Sequence, residues 1–314
     1  MSRAALVVHS YSYPYIQNVA RFIHAAIKTH FDAAAELLIC NAVDEVQFDE
    51  GNSVFLIGEK FPEFRRIPGC TYMYLNFSVV TIMGQPWETG VKARRAIRKK
   101  QNMLAQRLPS IDVLLDYYAP QTSVLQRKMS IPVLGFDVAT IARPDFTPMR
   151  DRTYDVCFVG GLSRRRKSVC DTIEAMGFSL SPSKDIVIED AAAQSRVCLN
   201  VHSVKSHHFE TPRFVAALSA GTPILTEPSF GARDVVDSHF MTEDTCARLP
   251  SSVAELLSQI DRLEDLGRDA QHWYSNTYLP RALESWRVTC NNVRSIVREE
   301  SSVVGPMAVS LGRL

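Results

Sequence analysis

Short β-branched or aliphatic runs alternate with longer stretches of helical periodicity along most of this chain, and few folds accept that alternation. It is the sequence form of parallel sheets built from βαβ units. In the first half, runs of strand length stand at residues 5–8, 36–40, 53–57, 72–75, 111–115 and 132–136. Between the first two, residues 16–30 carry Val19, Phe22, Ile23, Ala26 and Ile27 at helical spacing, so the first strand feeds a helix that returns over the sheet. The chain has 314 residues. That exceeds what one hydrophobic core usually organises, so two domains are expected.

The segment 142–153 is polar, aperiodic and contains two Pro, which suits a linker. A second α/β series follows at once: a strand over 154–159 ending in Gly160-Gly161, a helix over 165–176, a short helix near 191–196, a strand over 197–202, a helix over 212–220 and a strand over 223–226. From 251 the pattern is helical, broken near 276–280. The expected class is therefore α/β, with two Rossmann-like parallel-sheet domains facing across a cleft. Their bounds are 1–145 and 146–275, and a helical segment and tail over 276–314 is placed to cross back to the first domain.

Charge and cysteine usage narrow the function classes. Lys and Arg number 35 against 34 Asp and Glu, so nothing global draws the chain to nucleic acid. Seven Cys are scattered without a CxxC pair, as suits reduced thiols in a cytosolic protein. The N-terminal apolar run has strand length only, and no stretch reaches the roughly 18 apolar residues of a membrane span. A cytoplasmic protein is expected, at most peripheral to the inner membrane face. The run from Lys92 to Lys100 holds six basic residues in nine, which fits a solvated helix face or a contact with a lipid-linked or anionic acceptor.

Two segments carry chemistry. In YDVCFVGGLSRRRKSVCDTIEAMG, a strand ends in Gly160-Gly161, where backbone amides can approach a ligand. The helix N-terminus that follows favours an anion, and Arg164, Arg165, Arg166 and Lys167 add positive charge. A tight turn with solvated basic residues has the same sequence form. In VCLNVHSVKSHHFETPRFVAALSAGTPILTEPS, Thr211 suits an N-cap, Pro212 the first helical position and Gly221 the C-terminal cap. Glu210 and Arg213 then sit where open α/β sheets bind ligands, suited to ribose hydroxyls and phosphate oxygens respectively. A local ion pair between them is the alternative. Neither GxGxxG nor GxxxxGK[ST] occurs, which disfavours a dinucleotide oxidoreductase and excludes a P-loop.

The order LNxH, then FExxR, a small-residue helix, and a strand ending in Thr-Glu resembles the nucleotide-sugar-binding half of GT-B glycosyltransferases. The nearest likeness is to family 4 and the related spore-coat-maturation group, over about residues 154–230. The resemblance implies a metal-independent transferase that moves a sugar from a nucleotide-sugar donor to a glycan, glycolipid or other hydroxyl acceptor in surface polysaccharide or glycoconjugate synthesis. The donor is a substrate, and no cofactor is implied. Gly160 and Gly161 would face the donor diphosphate, with Arg166 and Lys167 contacting it. Asn200 and His202 would line the cleft, Glu210 and Arg213 would bind the nucleotide end, and Glu227 would close the pocket. The acceptor would lie with the first domain.

Family 4 usually carries two Glu eight positions apart, and here those positions hold His208 and Ala216. Glu210 must substitute, or nucleotide binding is weak, and a non-catalytic nucleotide-sugar or glycan-binding protein is the alternative. His9, followed by Tyr11, Tyr13 and Tyr15, is the candidate to take the acceptor proton, with loop packing as the alternative. Asp112 and Asp116 are weaker candidates. His202, His207 and His208 lack a Cys or carboxylate at ligand spacing, and no Asp-x-Asp occurs, so no metal is expected.

Overall fold

The computed structural model describes residues 3–78, 80–81, 90–143, 145–183, 186–204 and 207–302, with side chains to 298. The tail expected beyond 302 lies outside the described residues. Packing divides the chain into two units: the described residues of 1–82, 95–138 and 281–314, and those of 83–94 and 139–280.

In the first unit the elements run β1 (Ala4–His9), α1 (Tyr13–His30), β2 (Glu36–Cys40), β3 (Ser53–Ile57), β4 (Thr71–Asn76), α2 (Val91–Arg107, of which residues 91–94 group with the second unit), β5 (Val113–Asp116), α3 (Ala119–Lys128) and β6 (Val133–Gly135). The six strands are parallel in the order β2-β1-β3-β4-β5-β6. Every residue of β1, β3, β4 and β5 is buried, which is why these strands read as unbroken apolar runs: a parallel sheet is covered on both faces. The periodic residues of α1, from Val19 to Ile27, form its buried face.

The second unit continues with β7 (Tyr154–Cys157), α4 (Arg164–Ala175), α5 (Ile188–Ala193), β8 (Ser195–Asn200), α6 (Thr211–Ser219), β9 (Ile224–Thr226), α7 (Ala232–Val235), β10 (Met241–Glu243), α8 (Leu249–Leu257) and α9 (Ile260–Trp273). Its parallel sheet has the order β10-β9-β8-β7, and Leu180 bridges Val156 on the far side of β7. The chain leaving β7 therefore goes first to one side and later to the other, so the strand order reverses between β7 and β8. Such a reversal opens a crevice at the carboxyl ends of the two strands.

Three local expectations change. The short helix near 191–196 lies earlier, as α5, because Ser195 and Arg196 already belong to β8. The segment 142–153 packs into the second unit. Its Arg152 is buried, with 3% exposure, and donates to the carbonyls of Thr147, Ser195, Ala220 and Gly221 and to the Thr222 hydroxyl, so it closes the end of α6 and fixes the segment. The break near 276–280 is a π-helical turn, Tyr274–Tyr278, that runs straight into α10 (Leu279–Ser302). Pro280 follows directly on this widened turn, which takes up the amide and the space that proline removes from a continuous α-helix. From Arg281 the helix belongs to the first unit. There the Trp286 indole donates to the Asp137 carbonyl at 3.1 Å, Thr289 donates to that of Gly135 at 2.9 Å, and Arg294 donates to that of Phe31 at 2.7 Å.

Gly221 is required where it stands. Its φ of +62° lets its amide and that of Thr222 close α6 on Leu218 and Ala217, and a Cβ there would lie 2.7 Å from the Gly267 carbonyl. Among the described residues, no helix is long and apolar enough to cross a membrane.

Candidate functional site

Phe158, just past β7, is the floor of the candidate site. Its ring is buried at 1% exposure, and the guanidiniums of Arg166 and Arg213 both lie over it, 5.3 and 5.5 Å from its centre. Arg166 comes from the first turn of α4, whose N-cap is Ser163, and Arg213 from the first turn of α6. Glu210 stands between them. One of its oxygens accepts from Arg166 at 3.1 Å and the other from Arg213. Two guanidiniums thus share one carboxylate, leaving a net positive charge at the crevice between β7 and β8.

The surrounding groups hold the two arginines still. Arg166 donates through Nε to the Val201 carbonyl at 2.7 Å and through Nη1 to that of Gly161 at 3.1 Å. Arg213 donates to the Asn200 side-chain oxygen and to the Val159 carbonyl, and Asn200 is itself anchored on Thr226 at 2.9 Å. Gly160 has φ of +136°, a backbone conformation that other residues rarely adopt, and a Cβ there would also crowd the Arg213 guanidinium at 3.2 Å. The Gly160 amide donates to the Ser183 carbonyl, and a Cβ at Gly161 would meet nothing within 4 Å.

Glu227 is 6% exposed and bound on both oxygens by Arg165, with the His202 amide donating to it at 2.8 Å. It ties α4 to the ends of β8 and β9. Lys167, by contrast, points to solvent and pairs with Asp171 one turn along α4. Of the basic residues 164–167, the structure brings Arg165 and Arg166 into the cluster and leaves Lys167 outside.

Electrostatics keep the acids ionised. Burial pushes the Glu210 carboxyl up, but the Arg213 and Arg166 charges outweigh it and hold it below the ordinary carboxylate range. Glu227 follows the same balance, burial against the bonds from Arg165 and the His202 amide. His202 is 3% exposed, and burial lowers its pKa against the pull of Glu210 and Glu227, so the ring is neutral near pH 7. Several buried polar atoms here have no protein partner: Nε of Arg213, Oγ1 of Thr211 and Nδ1 of His202. Buried polar groups are nearly always paired, with protein, water or a ligand, so these three atoms have bonding capacity left for one of the latter two.

The capping expectation at α6 shifts by one residue. Glu210 is the N-cap residue and Thr211 the first helical one, and the Thr211 hydroxyl makes no cap bond. The Glu210 carboxylate makes no cap bond either; it is turned toward the two arginines.

His9 belongs to the first unit, at the end of β1, 9% exposed and edge-on to Phe61. Its Nδ1 accepts from the Tyr11 amide at 3.0 Å. The neutral ring therefore carries its proton on Nε2, which offers a donor rather than the base that the sequence suggested. Burial lowers its pKa, so the neutral form prevails. Asp112 is bound by Arg66 and the Tyr72 amide, and Asp116, with no exposure, by Asn76, Gln121, Thr122 and the Tyr118 amide; both are parts of the framework. Among the described residues, no three His, Cys, Asp or Glu are grouped as a metal site would require.

No protein-family model matches the chain, and no curated protein is similar enough in sequence to match it. Solved structures match in fold. Sucrose-phosphate synthase from Thermosynechococcus elongatus gives a TM-score of 0.56 at 10% identity, over 96% of this chain and 100% of that one. Anabaena HepE in complex with UDP-glucose gives 0.56 at 9% identity, over 96% and 100%. The chain carries the GT-B fold. A variant of S. aureus TarM in complex with fondaparinux, α-GlcNAc-glycerol and UDP gives 0.52 at 8% identity over 79% of this chain, which spans 57% of the TarM chain.

Of the residues singled out in the sequence, Arg166, Glu210, Arg213, Asn200 and the two glycines come together here, and Glu210 and Arg213 form the local ion pair that was the alternative reading. Sequence reasoning missed Phe158, the Ser163 cap and the Arg165–Glu227 pair. The cap had a signal, a Ser directly ahead of the helical run whose apolar positions are Val169, Cys170 and Ile173. The role of Phe158 had none, since an aromatic ending a buried strand is ordinary core.

Proposed function

We propose that this protein is a glycosyltransferase that holds a nucleotide-sugar donor at the crevice of its second unit. The observation that carries the reading is the pair of arginines on Phe158 sharing a single carboxylate, beside buried donors without a partner. A diphosphate supplies the missing negative charge and acceptor oxygens. In this reading Arg213, Arg166 and the N-terminus of α4 are its partners, with the Gly161 amide as a further donor. In the reaction the bond between the anomeric carbon and the diphosphate oxygen breaks, and an acceptor hydroxyl oxygen forms the new bond and loses its proton. The negative charge that develops on the leaving diphosphate is stabilised by the two guanidiniums, held in place before the reaction starts.

Glu210 contributes by orienting both arginines and, at the nucleotide end, by accepting from ribose hydroxyls. His202 and Asn200 border the donor, and Asn200 aims Arg213. Lys167 and Glu227 are framework groups in this reading, and His9 serves as a hydrogen-bond donor. The reaction needs no cofactor beyond the donor. The UDP-glucose in the HepE structure and the UDP in the TarM structure support a uridine nucleotide as the first donor to try.

The reading extends to glycan or glycolipid acceptors in surface polysaccharide synthesis and to a cytoplasmic protein touching an anionic membrane through the exposed basic residues between Lys92 and Lys99. Co-flotation with anionic but not neutral vesicles supports that contact, and equal behaviour with both removes it.

A thermal-shift screen across UDP-, GDP-, ADP-, CDP- and dTDP-sugars tests the reading. A donor at about 100 times its dissociation constant adds roughly 2.7 kcal/mol of stability. A flat response across the panel overturns it. The second reading, a binding protein without catalysis, draws on the fully buried Ala216 where family 4 has Glu. It predicts the shift without turnover.

A further inference from the structure

We propose that the chain forms a two-fold dimer through β2, the edge strand of the first unit, with β2 of a second copy continuing the sheet in antiparallel sense. An open strand edge presents unpaired N–H and C=O groups, and sheets that stay alone cover, shorten or charge such edges. The other three sheet edges are closed in these ways. On β6 the carbonyls of Val133 and Gly135 accept from the Gln126 and Thr289 side chains. Along β7 the Ser179 carbonyl accepts from the Val156 amide, and the Ser181 amide donates to the Val156 carbonyl. The strand β10 has three residues, and its Met241 amide is taken by the Ser238 carbonyl.

None of these devices protects β2. The Ser10 amide donates to the Cys40 carbonyl, so the backbone groups of Glu36, Leu38 and Cys40 face β1 and those of Leu37 and Ile39 face outward. Among the described residues, no side chain or loop supplies a hydrogen bond to the Leu37 or Ile39 backbone. The strand reads ELLIC, without Pro or Lys, and Ile39 leaves 48% of its surface exposed.

The edge is complementary to itself. In antiparallel pairing about an axis at Leu38, Leu37 of each copy stands opposite Ile39 of the other, and each of these pairs exchanges both its hydrogen bonds. The two residues that face outward are thus the two that become bonded. Side chains match as well: Leu37 meets Ile39 on one face, and on the other Leu38 meets Leu38 of the second copy, beside Glu36 opposite Cys40. Charge follows the same symmetry. The last turn of α1 carries Lys28 and His30 and stands at the start of β2, whereas the turn Val43–Glu45, with exposed Asp44 and Glu45, follows its end. Antiparallel pairing sets the basic end of each copy beside the acidic end of the other. A five-residue pair alone falls short of the roughly 1,200 Å² that a stable dimer buries, so the contact extends over these flanks. Nothing in the donor chemistry bears on this edge.

Sedimentation velocity of the full chain across micromolar concentrations tests the proposal. A species of twice the chain mass is expected to grow with concentration. Ile39→Pro removes an outward amide without touching the ladder to β1, and symmetry removes it twice, so the dimer is expected to weaken at least about tenfold. Ile39→Lys charges the edge and leaves the backbone intact; it is expected to weaken the dimer likewise with the unfolding midpoint unchanged, and it decides the matter if the Pro variant fails to fold. Register is read by Glu36→Cys, at an exposed position. Residues directly opposite in such a pair stand about 4.5 Å apart at Cα, within disulfide reach, so oxidation is expected to link the new thiol to the native Cys40 of the second copy, as a non-reducing dimer band that Cys40→Ser abolishes. A single-chain mass throughout, the outcome expected if another segment or another protein covers the edge, overturns the proposal. So does a dimer that neither Ile39 variant weakens, or one in which Glu36→Cys gives no bridge to Cys40.

Discussion

Replacing Arg213 by Ala separates what the arginine does for the fold from what it does for a ligand. The side chain is 11% exposed and donates to Glu210, to Asn200 and, at 2.9 Å, to the Val159 carbonyl. Breaking a fully buried ion pair costs about 3 to 5 kcal/mol. Here Glu210 keeps Arg166 as a partner at 3.1 Å and retains 27% of its surface, so the loss should be nearer to one charge-assisted hydrogen bond, about 2 kcal/mol. Urea denaturation reads this value. Adding Glu210→Gln removes the carboxylate left short of positive charge, so the double variant should be more stable than the sum of the two single losses predicts, by about 1 kcal/mol. Nucleotide binding should behave differently. Losing the Arg213 contacts weakens a nucleoside diphosphate by about 1.5 to 3 kcal/mol, or roughly 10-fold to 150-fold in dissociation constant. The Gln substitution cannot restore a missing phosphate contact, so calorimetric titration should show no recovery in the double variant. Recovery to near wild-type affinity would refute the argument, because it would mean that Arg213 only neutralises Glu210.

Three further outcomes follow from the structure. Burial raises the Asp116 carboxyl to about 6 against the bonds it accepts from Asn76, Gln121, Tyr118 and Thr122; because the folded pKa is the higher one, its contribution is full below pH 4 and is lost as pH rises through 6. The stability of the wild type relative to Asp116→Asn should therefore fall by about 2 to 3 kcal/mol across that window, and a pH-independent difference would contradict it. Arg152→Met should cost on the order of 3 kcal/mol through the carbonyls it leaves unbonded at the end of α6, seen as a lower urea midpoint; a change under about 0.5 kcal/mol would show that these bonds are replaced by water. Transfer activity should survive excess EDTA, and loss on chelation with recovery on adding Mn²⁺ or Mg²⁺ would show that the donor needs a divalent ion.

Much of the fold was legible because a parallel sheet buries both faces of its strands. Residues 53–57 and 36–40 are read to the residue, and α1 is announced by the spacing of Val19, Phe22, Ile23, Ala26 and Ile27. Local pattern fails where long-range partners decide. The two Pro of 142–153 look like a linker, yet Arg152 reaches carbonyls some seventy positions away and anchors the segment in the second unit. Pro280 looks like a helix end, yet the π-helical turn before it lets the helix continue.

At the site, Gly160, Arg166, Glu210 and Arg213 were readable because glycine turns, helix starts and charge at strand ends follow from local rules. Lys167 and Arg166 are adjacent in sequence and equally basic. Only the direction in which each leaves α4 separates a surface pair with Asp171 from a buried contact with Glu210, and the helical phase relative to β8 is set by packing. His9 shows the same limit. Its position at the end of β1 is plain from the sequence, but its tautomer depends on the Tyr11 amide, which the folded turn brings to Nδ1.

The central claim is that a nucleotide sugar is held and activated by Arg166 and Arg213. The most direct measurement is the release of free nucleoside diphosphate from the nucleotide sugar that gives the largest thermal shift, with a mixed glycan and glycolipid extract as acceptor. The account predicts release that requires the acceptor and falls at least about tenfold in Arg213→Ala, as loss of one charge-assisted contact to the leaving diphosphate demands. No release by the wild type from a nucleotide sugar that binds would contradict catalysis, and equal release by Arg213→Ala would contradict the site.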